Sequence, residues 1–104
     1  MLSGNCYIQA INGIEIGDRT IFAPGLKMIS ADHDIKIINK HINTSPIKIG
    51  KDCWIGANVI ILPEVIIGDN TIIGAGTVVT KSFPDVNQII VGNPARILRK
   101  YEKN

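Results

Sequence analysis

Residues 49–84, IGKDCWIGANVIILPEVIIGDNTIIGAGTVVTKSFP, decide the fold of this chain, because an aliphatic residue returns at every sixth position. Glycine follows that residue in the units that start at residues 49, 55, 67 and 73, and the fifth position is small or medium-sized. The same frame is present upstream as IGDRTI, FAPGLK and MISADH, which start at residues 16, 22 and 28. The repeated aliphatic residues are Ile49, Ile55, Ile61, Ile67, Ile73 and Val79.

This period of six predicts a coil of short parallel strands. An α-helix repeats every 3.6 residues, whereas six residues hold the period-two alternation of a strand plus a corner. Three units close a triangular coil, and successive coils stack at strand spacing, roughly 4.8 Å apart. The repeated aliphatic residues then lie inside, and glycine beside them suits a corner that needs either a permissive backbone or close approach. About four coils are available, and a β-sandwich would not keep one phase over so many units.

Composition excludes several other classes of protein. The chain has 104 residues, 45% hydrophobic and 5% aromatic, which bounds it to one small domain with an aliphatic core. A net charge of +2 without a Lys/Arg cluster among aromatics does not indicate a nucleic-acid partner. Cys6 and Cys53 have no metal or redox spacing, so we expect buried apolar side chains. The absence of an 18-residue apolar run or a signal-peptide pattern predicts a soluble cytoplasmic protein without a membrane span.

The repeat breaks in residues 27–40, KMISADHDIKIINK. In the unit that starts at Met28, the fifth position is Asp32, and an unpaired carboxylate inside an aliphatic prism would be costly. The frame resumes at Ile49, one coil plus three positions after Met28, which we interpret as a slipped register. Residues 34–46 are thus predicted to leave the prism as a loop.

His33 lies at the base of this loop, where a rigid coil would hold it open to solvent. Histidine titrates near neutral pH, so His33 is a candidate general base that takes a proton from a hydroxyl or amine. Asp32 or Asp34 is a candidate to orient its ring. His41 lies within the loop, and we favour packing on a neighbouring subunit over contact with an acceptor.

Three stretches resemble the hexapeptide-repeat acyltransferases: IEIGDRTIFAPGLKMISADHD, PIKIGKDCWIGANVIILPEVIIGDNTIIGAGTVVTKSFP and VGNPARILRK. The similarity is nearest to the branch of maltose, galactoside and capsular-sugar O-acetyltransferases. It implies a left-handed parallel β-helix and a homotrimer with sites between subunits. It also implies direct acetyl transfer from acetyl-CoA to a sugar-like acceptor, with a histidine general base that matches His33.

The resemblance also implies cofactor contacts. Trp54, expected to face outward, would line the cleft between subunits, although plain interface packing is the alternative. Small residues would let the pantetheine arm lie along the stack, and further contacts follow from the family. The predicted cofactor-binding residues are Trp54, Gly56, Ala57, Gly74, Ala75, Thr80, Lys81, Arg96 and Arg99.

The last segment changes character and is predicted to cap the stack. We take residues 1–91 as the β-helix and 92–104 as a capping tail. Asn93 suits a helix cap and Pro94 a first turn, so a short helix is expected over residues 95–103. Arg96 and Arg99 on that tail are either a solvated basic end or contacts for the phosphates of coenzyme A.

Two alternatives come from other classes. A zinc enzyme of the γ-carbonic anhydrase kind needs three histidines, and the chain has only His33 and His41, so no metal is predicted. An inactive structural module is the other alternative, because Ser3 and Ile11 stand where the sugar-acetylating branch has an acceptor-binding asparagine and aspartate. The chain is also short at its N-terminus relative to that branch, so it is either a naturally short member or a fragment.

Overall fold

The computed structural model describes the backbone of residues 7–9, 13–29, 33–34, 37–41 and 45–102, and the side chains of residues 13–29 and 45–102. Within these residues the chain forms short β-strands and no helix. The strands are β1 Tyr7–Gln9, β2 Ile14–Ile16, β3 Ile21–Phe22, β4 Lys27–Ile29, β5 His33–Asp34, β6 Ile37–His41, β7 Ile47–Ile49, β8 Trp54–Ile55, β9 Ile60–Ile61, β10 Ile66–Ile67, β11 Ile72–Ile73, β12 Val78–Val79, β13 Gln88–Gly92 and β14 Ala95–Lys100.

Three sheets form the faces of a triangular prism. Face A holds β1, β4, β9 and β12, face B holds β2, β7 and β10, and face C holds β3, β8, β11, β13 and β14. Stacked positions are one three-unit coil apart, as in Trp54 and Ile72 on face C or Ile60 and Val78 on face A. Each coil therefore passes through faces B, C and A in three six-residue units.

The break in the repeat adds chain without shifting the register, so the predicted slip is wrong. Ile16 pairs with Ile49, Phe22 with Ile55 and Met28 with Ile61, always at the same spacing, which exceeds one coil by the length of the insertion. The interval from Met28 to Ile49 is one unit plus this insertion. A register shift by an odd number of residues would turn the aliphatic side chains outward, so burial of the core holds the frame in place.

The repeated aliphatic residues lie inside the prism, as predicted. Ile49, Ile55 and Ile61, and their counterparts one coil later, are each at most 3% exposed. The fifth positions are buried as well, including Thr71 and Thr77. Their hydroxyls donate to the carbonyls of Gly68 at 2.8 Å and Gly74 at 2.6 Å, so these polar groups are satisfied.

The glycines beside the aliphatic residues are required by close approach of neighbouring coils. A Cβ atom on Gly17 would lie 2.6 Å from the backbone nitrogen of Lys51, and one on Gly56 would lie 2.7 Å from that of Ala75. Neither glycine has a positive φ. The left-handed corner positions of successive coils are instead held by Arg19, Asp52, Asn70 and Asn87, and asparagine and aspartate tolerate that conformation well.

The predicted C-terminal helix is wrong, because residues 95–100 form strand β14. β14 pairs antiparallel with β13, Gly92 lies opposite Ala95, and Asn93 and Pro94, joined by a cis peptide bond, make the turn between them. Without β14, the outer edge of β13 would expose unpaired N–H and C=O groups, which a short helix would leave unsatisfied. Strand β14 therefore stands where the helix was predicted, at the edge of face C.

Candidate functional site

Trp54 stands on the outer surface of face C. Its neighbours in the chain, Cys53 and Ile55, are buried, so strand alternation turns Trp54 outward, where it is 63% exposed. In the ladder it lies between Ile21, which is 60% exposed, and half-buried Ile72. With Ile89, which pairs with Ile72, these residues form one stripe across the coils, here called the apolar column of face C: Ile21, Trp54, Ile72 and Ile89.

Next to Trp54, the corner between faces C and A is built from small residues of two stacked coils. The Gly56 amide donates to the Ile73 carbonyl at 2.8 Å, and the Gly76 amide donates to the Ala57 carbonyl at 2.8 Å. Ala75 and Gly76 are exposed. We call this strip of surface the small-residue corner: Gly56, Ala57, Gly74, Ala75 and Gly76. Few side-chain atoms project from it, so a narrow, extended ligand can approach the backbone closely.

Strand β14 brings Arg96 to the C-terminal end of the same strip. Arg96 pairs with Val91, and a Cβ atom on Gly74 would lie 2.8 Å from Cγ1 of Val91, so both residues flank the corner. Arg99 pairs with Ile89 and continues the line of the apolar column. Both arginines are exposed. A guanidinium group binds phosphate through paired N–H donors, so this end is suited to an anionic ligand.

Thr80 and Lys81 lie one strand further along the coil, beyond β12. Both are exposed, and the Lys81 ammonium lies 5.7 Å from the centroid of the Phe83 ring. Lys81 also lines a cavity of about 230 Å³ at the C-terminal end of the prism, together with Phe83 and Gln88. The structure therefore gathers Trp54, the small-residue corner and Arg96 on one side, and sets Thr80 and Lys81 apart from them.

Gln88 is a residue that the sequence pattern did not single out. It is 1% exposed, and its Oε1 atom has no hydrogen-bond partner among the described residues. It occupies an inward position of the last coil, where its predecessors Cys53 and Thr71 are smaller. The six-residue frame places Ile89 at the inward fifth position there, and the last coil is one residue shorter than that frame, so the sequence pattern carried no signal for Gln88.

Cys53 has none of the features of a nucleophile. It is buried, and its thiol donates to the Gly68 carbonyl at 3.3 Å. Burial raises the pKa of the Cys53 thiol above its usual range, so the reactive thiolate is disfavoured. The predicted buried apolar role is confirmed for Cys53, whereas Cys6 lies outside the described residues.

His33 lies in a two-stranded antiparallel sheet of β5 and β6, separate from the three faces. The register places His33 opposite His41, a pairing that the sequence did not indicate. Asp32 lies outside the described residues. The catalytic role of His33 therefore stays a prediction, supported by its place on a segment that leaves the coil.

Two findings concern the described residues as a group. No three His, Cys, Asp or Glu side chains with described positions lie together as a metal ion would require. Within the same part of the chain, no helix has the length and apolar character that crossing a membrane demands.

Comparison with known proteins gives a consistent result. Residues 46–81 match the family model described as bacterial transferase hexapeptide, six repeats. The chain is 39% identical over 90 residues to the galactoside O-acetyltransferase of Escherichia coli K12, which covers 84% of this chain and 44% of the relative. The chain spans about half the length of the curated relatives it matches.

Solved structures share the fold. A maltose O-acetyltransferase from Clostridium difficile 630 superimposes with a TM-score of 0.79 and 37% identity, covering 96% of this chain and 61% of that one. A hexapeptide-repeat acetyltransferase from Vibrio cholerae, complexed with acetyl coenzyme A, gives 0.85 and 33%, covering 95% and 55%. The expected left-handed parallel β-helix is thereby confirmed.

Proposed function

We propose, because this chain belongs to the bacterial transferase hexapeptide family, that it transfers an acetyl group from acetyl-CoA to a hydroxyl of a sugar-like acceptor. Relatives named for galactoside and maltose O-acetylation support the acceptor class, and the Vibrio cholerae structure with acetyl coenzyme A supports the donor. The observation that carries the proposal is exposed Trp54 beside a strip of small residues that ends at Arg96.

The cofactor would lie along the small-residue corner. Ala57, Ala75 and Gly76 carry little or no side chain, and Ala75 and Gly76 are exposed, so a pantetheine arm can approach the chain closely there. Arg96 and Arg99 at the end of the strip would hold its phosphates. Thr80 and Lys81 lie one strand away from the strip and would contact the cofactor only where it extends past β12. The side chain of Trp54 would line one side of the strip, near the thioester of acetyl-CoA.

We propose further that the active form is a homotrimer. The apolar column of face C exposes Ile21 and Trp54 together, and aromatic and aliphatic residues in one patch are typical of the centre of an interface. Packing of this column against a second copy would remove it from water. The strip beside it would then become a cleft between two subunits, with Trp54 as a shared wall.

The chemistry would be a direct transfer in a ternary complex. The imidazole of His33 takes the proton of the acceptor hydroxyl as its oxygen attacks the thioester carbonyl. The carbon–sulfur bond breaks, the acetyl group stays on the acceptor oxygen, and the coenzyme A thiolate leaves and takes up a proton. No covalent enzyme intermediate is required, which agrees with the burial and hydrogen bonding of Cys53.

Calorimetric titration with acetyl-CoA tests the binding step. We expect one saturable site per chain, with binding weakened about tenfold or more in Arg96→Ala through loss of charge-assisted hydrogen bonds. Lys100→Ala is the matched control, because Lys100 lies on the same strand but pairs with Asp85 at 3.4 Å. His33→Ala should keep binding and lose transfer by roughly a hundredfold or more. A folded protein that binds no acetyl-CoA would refute the proposal and favour a structural module.

A further inference from the structure

Lys27 places a positive charge beside the strip, one coil before the small-residue corner. It begins β4, the strand of face A that follows this corner of its coil, and its side chain is exposed. The ammonium group folds back towards the corner and donates to the Gly25 carbonyl at 3.3 Å. In the part of the chain with described side chains, no carboxylate forms a salt bridge with Lys27. The strip therefore has a cation at the end opposite Arg96.

The backbone of this coil stacks on the small-residue corner and uses its own donors to do so. The Ala23 amide donates to the Ile55 carbonyl at 2.9 Å, and the Asn58 amide donates to the Pro24 carbonyl at 3.1 Å. Proline has no amide N–H to offer. An ammonium group has three N–H donors, so Lys27 can keep its bond to the corner and still donate to a ligand.

The length of the cofactor brings the thioester close to this ammonium group. Face C stacks in the order β14, β13, β11, β8 and β3, so roughly 19 Å separate the strand of Arg96 from the coil of Lys27, at about 4.8 Å per step. A pantetheine arm has about 13 bonds between phosphate and sulfur, and at the roughly 1.2 Å per bond of an extended chain it spans about 15 Å. Phosphates held by Arg96 would put the sulfur near the level of Trp54, and the acetyl carbonyl between Trp54 and Lys27.

We infer that Lys27 is a catalytic residue whose ammonium group donates to the thioester carbonyl oxygen of acetyl-CoA; this inference rests on the proposed function. As the acceptor oxygen attacks the carbonyl carbon, the π electrons of the C=O bond move onto that oxygen. They return when the carbon–sulfur bond breaks and the thiolate leaves. A donor that is already in place interacts more strongly with the developing negative charge than with the neutral carbonyl, so it lowers the barrier. Lys27 keeps its protons throughout, and the acceptor proton goes to the general base.

Infrared spectroscopy of acetyl-CoA labelled with ¹³C at the acetyl carbonyl tests this contact without an acceptor. A hydrogen bond from a cation weakens the C=O bond, so the bound label should absorb at lower wavenumber in the wild type than in Lys27→Met. Lys27→Arg keeps a charged donor and should absorb close to the wild type. Lys48→Met is the matched control, because Lys48 is an exposed lysine on face B, and it should leave the band unchanged. Calorimetry should give acetyl-CoA dissociation constants within about threefold for all four proteins, since the contact strengthens mainly in the transition state.

Turnover gives the catalytic half of the test. Release of coenzyme A, with methyl galactoside or with water as the acceptor, should fall roughly tenfold to a hundredfold in Lys27→Met, and Lys27→Arg should recover most of it. The same band position in the bound wild type and Lys27→Met would overturn the inference, and a rate loss beside it would place Lys27 at the acceptor instead. A folded wild type that binds no acetyl-CoA would overturn the proposed function and this inference together. Binding without turnover would overturn the transfer alone, and the band would still decide the contact.

Discussion

The close approach of coils makes Gly17→Ala the most informative single substitution. A Cβ atom there would lie 2.6 Å from the Lys51 nitrogen, 2.7 Å from the Gly50 carbonyl carbon and 2.8 Å from the Lys51 Cα atom. All three contacts are backbone atoms, so no side chain can rotate away. Ordinary contact begins at 3.4 Å, and the two coils must therefore separate locally by about 0.6–0.8 Å.

That separation has a calculable cost. The Gly17 amide donates to the Ile49 carbonyl at 2.8 Å, and the displacement would lengthen this hydrogen bond to about 3.4 Å or more, beyond useful strength. Overpacking costs about 1–3 kcal/mol, and the hydrogen bond contributes about 1 kcal/mol. Alanine restricts the unfolded chain and returns about 0.4–1 kcal/mol. We expect a net loss of about 2–3 kcal/mol, or roughly 8–20 °C in Tm for a chain of this size.

Urea unfolding at one fixed protein concentration measures this loss. Gly76→Asn is the matched control, because Gly76 has a φ of 73° and a Cβ atom there would meet nothing within 4 Å. Asn58 occupies the stacked corner of the preceding coil with a φ of 59°, so asparagine fits the conformation. The control should change stability by less than about 1 kcal/mol.

The two variants separate backbone conformation from coil spacing. If Gly17→Ala unfolds within about 0.5 kcal/mol of the wild type, the range typical of substitutions that disturb no packed feature, close approach of coils does not explain the glycine. If Gly76→Asn is the more damaging change, the argument that corners tolerate asparagine is wrong.

Three further predictions follow from other parts of the prism. Gln88→Met removes a buried amide whose Oε1 lacks a hydrogen-bond partner among the described residues, so it should raise the free energy of unfolding by about 1–2 kcal/mol. If urea unfolding instead shows a destabilised variant, the amide is hydrogen-bonded in solution. Burial raises the pKa of the Cys53 thiol, so the stability that its protonated form contributes is complete below the usual pKa of 9.0 and is lost as the pH rises through the raised pKa. Alkylation at pH 8 should leave the Cys53 peptide unmodified until urea is added. Labelling of the native protein, detected by mass spectrometry, would contradict this. Trp54→Lys should convert the proposed trimer to monomers in sedimentation analysis, whereas Val86→Lys, at an exposed apolar residue outside the column, should leave the mass unchanged. An unchanged mass for Trp54→Lys would reject the proposed interface.

Much of the site could be placed from the sequence, because its residues are tied to the repeat. Trp54 follows a buried fifth position, so its outward direction comes from alternation alone. Gly56 and Gly74 occupy the second place of units one coil apart, and this predicts that they stack. The roles of Trp54 and Arg96 in binding the cofactor were predicted from residue type and from the family resemblance. Their positions beside one strip follow from the way the coils stack.

Other features could not be predicted, since they depend on contacts between distant segments. The segment ARILRK suits a short helix or a strand, and the free edge of β13 decides in favour of a strand. The pairing of His33 with His41 depends on a bulge that no local pattern announces. The insertion between β4 and β7 kept the register because the buried column on either side of it required the same frame.

By itself, the sequence determined the prism and which side of each strand faces inward in the regular units up to β12, because a six-residue period repeats the same local choice of buried and exposed positions. Only the tertiary structure decided why the second-position glycines are needed, how the last coil ends and which residue pairs with His33 in the β5–β6 ladder. These properties arise where the backbones of different coils or strands come into contact, as Gly17 does with Lys51. The free energy of such a contact depends on the distance between the coils, which the local sequence pattern does not encode.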